Sequence, residues 1–408
     1  MTEQTFVIAG GGLAGAKAAE GLREEGFDGR IVLIGAESEL PYERPPLSKD
    51  YLRGEAERAS ALVHPGDFYE ENGIELMLGT TVEALDAGAK HVVLDTGERH
   101  RFDTLLLATG SEPRRLPLEG SDLDGIHYLR TLADADALKA ALADAHALVV
   151  IGGGFIGAEV AASARQLGLE VAIVEPAEVL LAQALGPEIG GFYTELHRDH
   201  GVEVLTGNAP TAFEGRGRVE RVRLRDGRSI DADLVLVGVG AQPRVELAAE
   251  AGLLVENGIV VTSRLETSAP GIFAAGDVAS AHHPFYRRRI RVEHWANALN
   301  QPEIAARAML GKPASYDRLP YFYSDQYDVG MQFVGDTTVS DEVVLRGEPS
   351  VREFVAFWLS QGAVVAAMNV NVWDAVDDFT RLIRSRAPLT AADNVSDRAA
   401  LSSVAEGH

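Results

Sequence analysis

Along the chain the apolar residues gather in short unbroken runs, and several of these runs end in glycine. Thr5 to Ala9 is one; it stops at Gly10-Gly11-Gly12-Leu13-Ala14-Gly15, and Leu13 to Gly26 then carries the spacing of a helix. Ile31-Val32-Leu33-Ile34 follows as a second apolar run, with Glu37 just beyond its end. Runs of this length between turn signals predict buried strands. The same order returns at Leu148 to Ile151, then Gly152-Gly153-Gly154-Phe155-Ile156-Gly157, a helix to about Gly168, the run Val171 to Val174, and Glu175.

A further echo does not depend on the glycine pattern. Asp95 to Arg114 aligns without gaps to Arg225 to Arg244, pairing Gly97 with Gly227, Asp103 with Asp233, Gly110 with Gly240 and Pro113-Arg114 with Pro243-Arg244. Each copy predicts a turn between strands, an apolar strand and a closing glycine turn. The period is too long for a solenoid, so the chain holds two large related units.

From about Leu319 the pattern changes. Val343-Val344-Leu345, Phe354 to Leu359 and Ala363 to Asn371, with Gln361-Gly362 between the last two, predict an antiparallel meander, and Asp374 to Arg384 a helix. At roughly 150 residues per domain, 408 residues suggest about three domains. The predicted fold class is α/β, with two Rossmann-like dinucleotide-binding domains and a C-terminal α+β domain. The expected boundaries are 1–115 with 245–318, 116–244 inserted between them, and 319–408.

Composition narrows the chemistry. Cysteine is absent, which excludes disulfides, Cys-ligated metal, a protein-held iron–sulfur cluster and a CxxC redox pair. The net charge of −24 opposes nucleic acid and anionic membranes, so an acidic partner needs a local basic patch. No run is long enough for a membrane helix and no signal peptide is read at the start, so a cytoplasmic protein is expected.

In each glycine motif the spacing has a physical reason. Gly10 and Gly152 permit a tight turn, Gly12 and Gly154 let the backbone approach a pyrophosphate, and Gly15 and Gly157 let the helix close on the strand. The helix N-terminus then faces the phosphates. Glu37 and Glu175, about 20 residues on, suit ribose hydroxyls and would repel a 2′-phosphate. No Arg or Lys lies between Glu175 and Gly191, which predicts NADH over NADPH. Two dinucleotides without a thiol point to non-covalent FAD plus NADH.

The run Pro41-Tyr42-Glu43-Arg44-Pro45-Pro46-Leu47-Ser48-Lys49 resembles a signature of the oxygenase-coupled NADH:ferredoxin reductases, the putidaredoxin reductase and biphenyl dioxygenase reductase family. That family is a branch of the pyridine nucleotide-disulfide reductases without the disulfide, with a glutathione-reductase-like architecture. Leu107-Ala108-Thr109-Gly110, Leu129-Arg130-Thr131, Gly271 to Asp277 and Glu293-His294-Trp295-Ala296-Asn297-Ala298 extend the resemblance from about residue 5 to about residue 385.

The resemblance implies that the first unit binds FAD, the inserted unit binds NADH, and a small C-terminal domain covers the flavin. It implies flavin contacts by Ala14, Glu37, Lys49, Val82, Arg130, Asp277 and Trp295, and Arg44, Thr109 and Gly110 are further expected cofactor-binding residues. Gly152, Gly154, Gly157, Glu159, Glu175 and Gly240 are expected at the nucleotide sites. The implied acceptor is a separate ferredoxin, of [2Fe-2S] type, serving a dioxygenase or haem monooxygenase. Competing readings are a rubredoxin reductase, a quinone reductase, a flavoprotein oxidase and an NADH-sensing flavoprotein resembling apoptosis-inducing factor.

Lys49 follows two prolines that restrict the backbone, and Glu159 is expected on the first turn of the second glycine helix. The two are expected to form an ion pair that serves hydride transfer beside the flavin; its worth depends on whether it is buried or exposed. Asp277 suits ribityl hydroxyls or a helix N-cap before Val278. Arg287, Arg288, Arg289 and Arg291 are a candidate docking cluster for an acidic ferredoxin, or else a solvated loop or ion-paired internally. His282-His283 reads as plain loop. Some relatives carry Trp where this chain has Tyr323, on an implied electron-exit path.

Overall fold

The computed structural model describes residues 4–386; the outermost residues of the first and last predicted domains lie outside them. Backbone contacts divide the described chain into two compact units, 4–44 with 57–112 and 241–318, and 45–56 with 113–240 and 319–386.

In the first unit the apolar runs become strands Thr5–Ala9, Arg30–Gly35, Ile74–Leu78, Thr104–Leu107 and Ile272–Ala274. They form one parallel sheet, in spatial order Ile272–Ala274, Thr104–Leu107, Thr5–Ala9, Arg30–Gly35, Ile74–Leu78. The inner strands Thr5–Ala9, Arg30–Gly35 and Thr104–Leu107 are covered on both faces and take apolar residues at nearly every position, which is why these runs do not alternate. Helix Leu13–Glu24 packs on helix Trp295–Met309, so closely that a Cβ on Gly21 would lie 3.3 Å from the Ala306 methyl.

The second unit repeats the plan. Glu203–Thr206, Glu170–Glu175, Ala147–Ile151, Leu234–Val237 and Ile126–His127 make a parallel sheet, and helix Phe155–Gln166 follows the second glycine loop. Its C-terminal part is an antiparallel sheet in the order Tyr321–Gln326, Val329–Gly335, Ala363–Val370, Glu353–Ser360, Glu342–Glu348, with helix Val376–Ser385 against it. The predicted meander is the last three of these strands. The other two escape the sequence reading because Tyr321–Gln326 mixes aromatic and polar residues; its partners, not its pattern, make it a strand.

Three local expectations are corrected. Helix Phe155–Gln166 starts early enough that Glu159 falls on its second turn. Asp277 caps no helix, because Ala279–His283 continues as a strand paired with Gly258–Val261. That strand also contains His282 and His283, so neither is a loop residue; His283 is buried and its Nε2 meets the Arg318 carbonyl at 2.9 Å.

Candidate functional site

The first glycine loop is shaped by close backbone approach. Gly10 has φ of 131°, and a Cβ there would overlap the Ala108 carbonyl oxygen. A Cβ on Gly15 would overlap the Gly10 carbonyl oxygen, so helix and strand close as the motif requires. Gly12 differs: its nearest neighbour to an added Cβ is Arg44 Nη1 at 3.6 Å. It caps helix Leu13–Glu24 with extended backbone and no side-chain bond, and the first turn holds no acid. The positive helix end is left for an outside anion.

Around this loop lie most of the predicted flavin contacts. Glu37 accepts from Arg44 Nη2 at 3.2 Å and from the Tyr42 hydroxyl at 2.5 Å. Ala14 is buried below Gly276, whose added Cβ would lie 3.1 Å from the Ala14 methyl. The Thr109 hydroxyl donates to the Arg244 carbonyl at 2.9 Å, and Gly110 takes φ of 69° in the turn. Val82 begins strand Val82–Asp86 and packs on the first core. Buried Asp277 accepts from the Ser111 hydroxyl at 3.0 Å. Trp295 opens its helix; burial raises the Glu43 pKa, and the nearby Trp295 and Lys17 pull it back. Ser111, Tyr42 and Glu43 were not singled out from the sequence, although the last two stand inside the run that carried the resemblance.

The second loop has the same backbone. Gly152 takes φ of 102° against the Gly238 carbonyl, and a Cβ on Gly157 would overlap the Gly152 carbonyl oxygen. A Cβ on Gly154 would meet nothing within 4 Å, and again no side chain caps the helix and no acid lies in its first turn. These two open second glycines are the observation that fits the residues to a pyrophosphate at each loop. Glu175 accepts from the Gly153 and Ala177 backbone N–H groups at 2.6 and 2.8 Å, and so braces the loop itself. Gly240 accepts at its carbonyl from the Arg114 N–H at 2.9 Å. Arg130 precedes Thr131, which caps helix Leu132–Ala143 in a reciprocal box with Asp134.

Lys49 and Glu159 come together in this unit. Lys49 stands between the single helical turns Pro45–Ser48 and Asp50–Arg53, and its Nζ lies 2.8 Å from Glu159 Oε2. The residues are 8% and 4% exposed, which makes this a buried pair. Glu159 also accepts from the Ser48 hydroxyl and, at 2.8 Å, from the Ser324 hydroxyl. A buried carboxylate with that many donors satisfies the condition under which burying charge is tolerated. The Tyr323 ring lies 5.6 Å from Lys49 Nζ. Asp325 on the same strand has its pKa raised by burial, with Lys49 opposing and Glu159 adding to the rise.

Of the arginine cluster, Arg289 pairs with Glu256 at 2.9 Å and Arg291 with Glu293 at 2.5 Å, while Arg287 is exposed in a left-handed turn. The charges of Arg289 and Arg291 are therefore compensated from within the first unit.

The profile of the pyridine nucleotide-disulphide oxidoreductases matches residues 4–302, and that of the reductase C-terminal domain matches residues 321–405. The chain is 41% identical over 391 residues to the anthranilate 1,2-dioxygenase system ferredoxin–NAD(+) reductase component of Burkholderia cepacia, covering 95% of this chain and 96% of that one. It is 38% identical over 389 residues to putidaredoxin reductase of Pseudomonas putida, covering 94% and 92%. The crystal structure of a covalent putidaredoxin reductase–putidaredoxin complex superposes with a TM-score of 0.95 at 37% identity, over 99% of this chain and 98% of that one. Among the described residues no helix is long and apolar enough to cross a membrane.

Proposed function

The chain belongs to the pyridine nucleotide-disulphide oxidoreductase family and carries that family's reductase C-terminal domain, and from this premise we propose that it passes electrons from NADH through bound FAD to a separate ferredoxin. That ferredoxin, of [2Fe-2S] type, in turn serves a dioxygenase or a haem monooxygenase. The observation that carries the reading is a framework with two nucleotide loops and no cysteine. With no thiol pair to receive them, electrons must leave for an acceptor outside the polypeptide. The proposed setting is the cytoplasm, where NADH is plentiful.

Bound FAD would supply the conversion of a two-electron donor into single electrons. The protein's share is position and electrostatics. The domain spanning 1–115 and 245–318 is assigned to FAD, with its pyrophosphate against Gly10, Gly12 and Gly15, its ribose toward Glu37 and its ribityl hydroxyls toward Asp277. Arg44 steadies Glu37, and Ala14, Val82, Thr109, Gly110 and Trp295 complete the lining. Lys49 and Arg130 carry their flavin assignment from the resemblance alone. The domain spanning 116–244 is assigned to NADH, with Gly152, Gly154 and Gly157 at the pyrophosphate, Glu175 on the ribose side and Gly240 in the closing turn. Residues 319–408 are the third domain. The Lys49–Glu159 pair is assigned to the reduction step, Lys49 as a fixed cation and Glu159 as its anchor.

The test is NADH-driven cytochrome c reduction with and without added [2Fe-2S] ferredoxins. Strong stimulation by one of them is expected. Equal rates with rubredoxin or with free quinone in place of every ferredoxin would overturn the acceptor class, and equal kcat/KM for NADH and NADPH would overturn the nucleotide preference.

A further inference from the structure

Behind Glu159 stands a file of buried polar groups that the proposed function does not use. Ser324, Gln326 and His197 are 1%, 1% and 0% exposed. Ser324 has one hydroxyl proton and gives it to Glu159 Oε1 at 2.8 Å, so toward Gln326 Nε2, 3.1 Å away, it accepts. This orients the Gln326 amide. Its oxygen faces His197 Nε2 at 3.0 Å, and that nitrogen must therefore carry the ring proton. Burial lowers the His197 pKa to about 4, with Gln326 opposing, so the ring is neutral at pH 7 and Nδ1 is bare. Nδ1 accepts from the Tyr327 hydroxyl at 3.1 Å.

Every donor in this file points toward the carboxylate. Hydrogen bonds aligned head to tail polarise one another, and here the alignment places the positive end of each group nearer to Glu159. The outer end is anchored as well. Tyr327 sits in the turn between strands Tyr321–Gln326 and Val329–Gly335 with φ of 57°, a costly conformation for a residue with a side chain, and its ring stacks on His200 with centroids 3.7 Å apart.

We propose that Ser324, Gln326 and His197 are positioning residues for the Lys49–Glu159 pair, a single-file array whose direction holds the carboxylate where it anchors Lys49. The inference rests on the reading that the pair serves reduction by NADH. Asp50 and Arg53 beside Lys49, Asp325 on the strand and Tyr193 on helix Ala182–Asp199 also act electrostatically on this region. A pH profile would mix their titrations, whereas the tautomer of His197 reports the file alone.

The experiment uses the full-length, flavin-loaded protein with 15N-labelled histidine, observed by long-range proton–nitrogen correlation at pH 7. His197 should carry its proton on Nε2. In Glu159→Gln, the new amide can donate to Ser324 and free the file to reverse, so the Nδ1–H form should appear. A proton on Nδ1 in the unaltered protein, or an unmoved tautomer in Glu159→Gln, overturns the array, and the first of these needs no variant to fold. In single-turnover flavin reduction, His197→Gln keeps a donor at the Nε2 position and should stay within about twofold, while His197→Asn should slow about tenfold. Equal rates for the two overturn the positioning role. An unchanged rate in Lys49→Ala overturns the reading of the pair itself, a failure distinct from that of the tautomer.

Discussion

The two glycine loops share a backbone and differ in what surrounds it. At Gly10–Gly15 and Gly152–Gly157 the first and third glycines are forced by carbonyl oxygens and the second is open. Two residues beyond the third glycine stand Lys17 in one copy and Glu159 in the other. Lys17 pairs with Glu20 on its own helix, with 26% of its side chain exposed, whereas Glu159 is enclosed by Lys49, Ser48 and Ser324. The acids after the second strand differ too. Glu37 is held by the side chains of Arg44 and Tyr42, while Glu175 is held by the backbone N–H groups of Gly153 and Ala177. The shared part is what any dinucleotide demands of a chain, and the different part is where the proposed division into a cofactor site and a substrate site would have to arise.

The largest effect should come from breaking the loops one at a time. Valine at either first glycine adds a Cβ at positive φ, a strain of about 1–3 kcal/mol before the clash with the facing carbonyl. Gly10→Val should yield protein lacking flavin absorbance. Gly152→Val should keep its flavin and fail to be reduced by NADH. Loss of flavin from both would erase the distinction drawn between the loops.

Next in size is the contrast between Lys49 and Lys17. Removing one partner of a buried pair costs about 3–5 kcal/mol, and a partly exposed pair one turn apart on a single helix is worth about 1 kcal/mol or less. Lys49→Ala should therefore lower the urea midpoint far more than Lys17→Ala, and it alone should slow flavin reduction. Equal midpoints would mean that the burial of the pair does not contribute to stability.

A third comparison sets His197 of the second unit against His294 of the first. Burial lowers both from 6.5 to about 4, with Asp277 opposing at His294. Between those values the unfolded chain binds more protons than the folded one. Stability is complete above about pH 6.5 and falls as the pH drops toward 4, by up to roughly 1.4 kcal/mol per pH unit for each group. Urea midpoints measured between pH 7 and 4.5 should show this fall, and His197→Gln should remove its share. A flat profile in the unaltered protein would contradict buried neutral histidines.

The smallest effect is expected at the basic hairpin. Arg287→Gln with Arg288→Gln should raise the KM for ferredoxin about two- to fivefold while ferricyanide reduction is unchanged, as befits charges at an interface rim. An unmoved KM would assign the cluster to its internal pairs with Glu256 and Glu293.

The sequence by itself determined the duplicated strand, glycine loop and helix, because a tight turn against a carbonyl oxygen and a helix end facing a phosphate leave no alternative to glycine. It also determined that electrons leave the polypeptide, since no cysteine can receive them, and it put Lys49 and Glu159 forward as partners. Tertiary structure decided whether that pair is buried, that strand Ala279–His283 follows Asp277, and that two extra strands widen the C-terminal sheet. It alone brought Ser324, Gln326 and His197 into line behind Glu159. No periodicity in the chain marks those three, because a hydrogen-bond file joins residues far apart in sequence, and its direction is set by which neighbour each proton finds after folding.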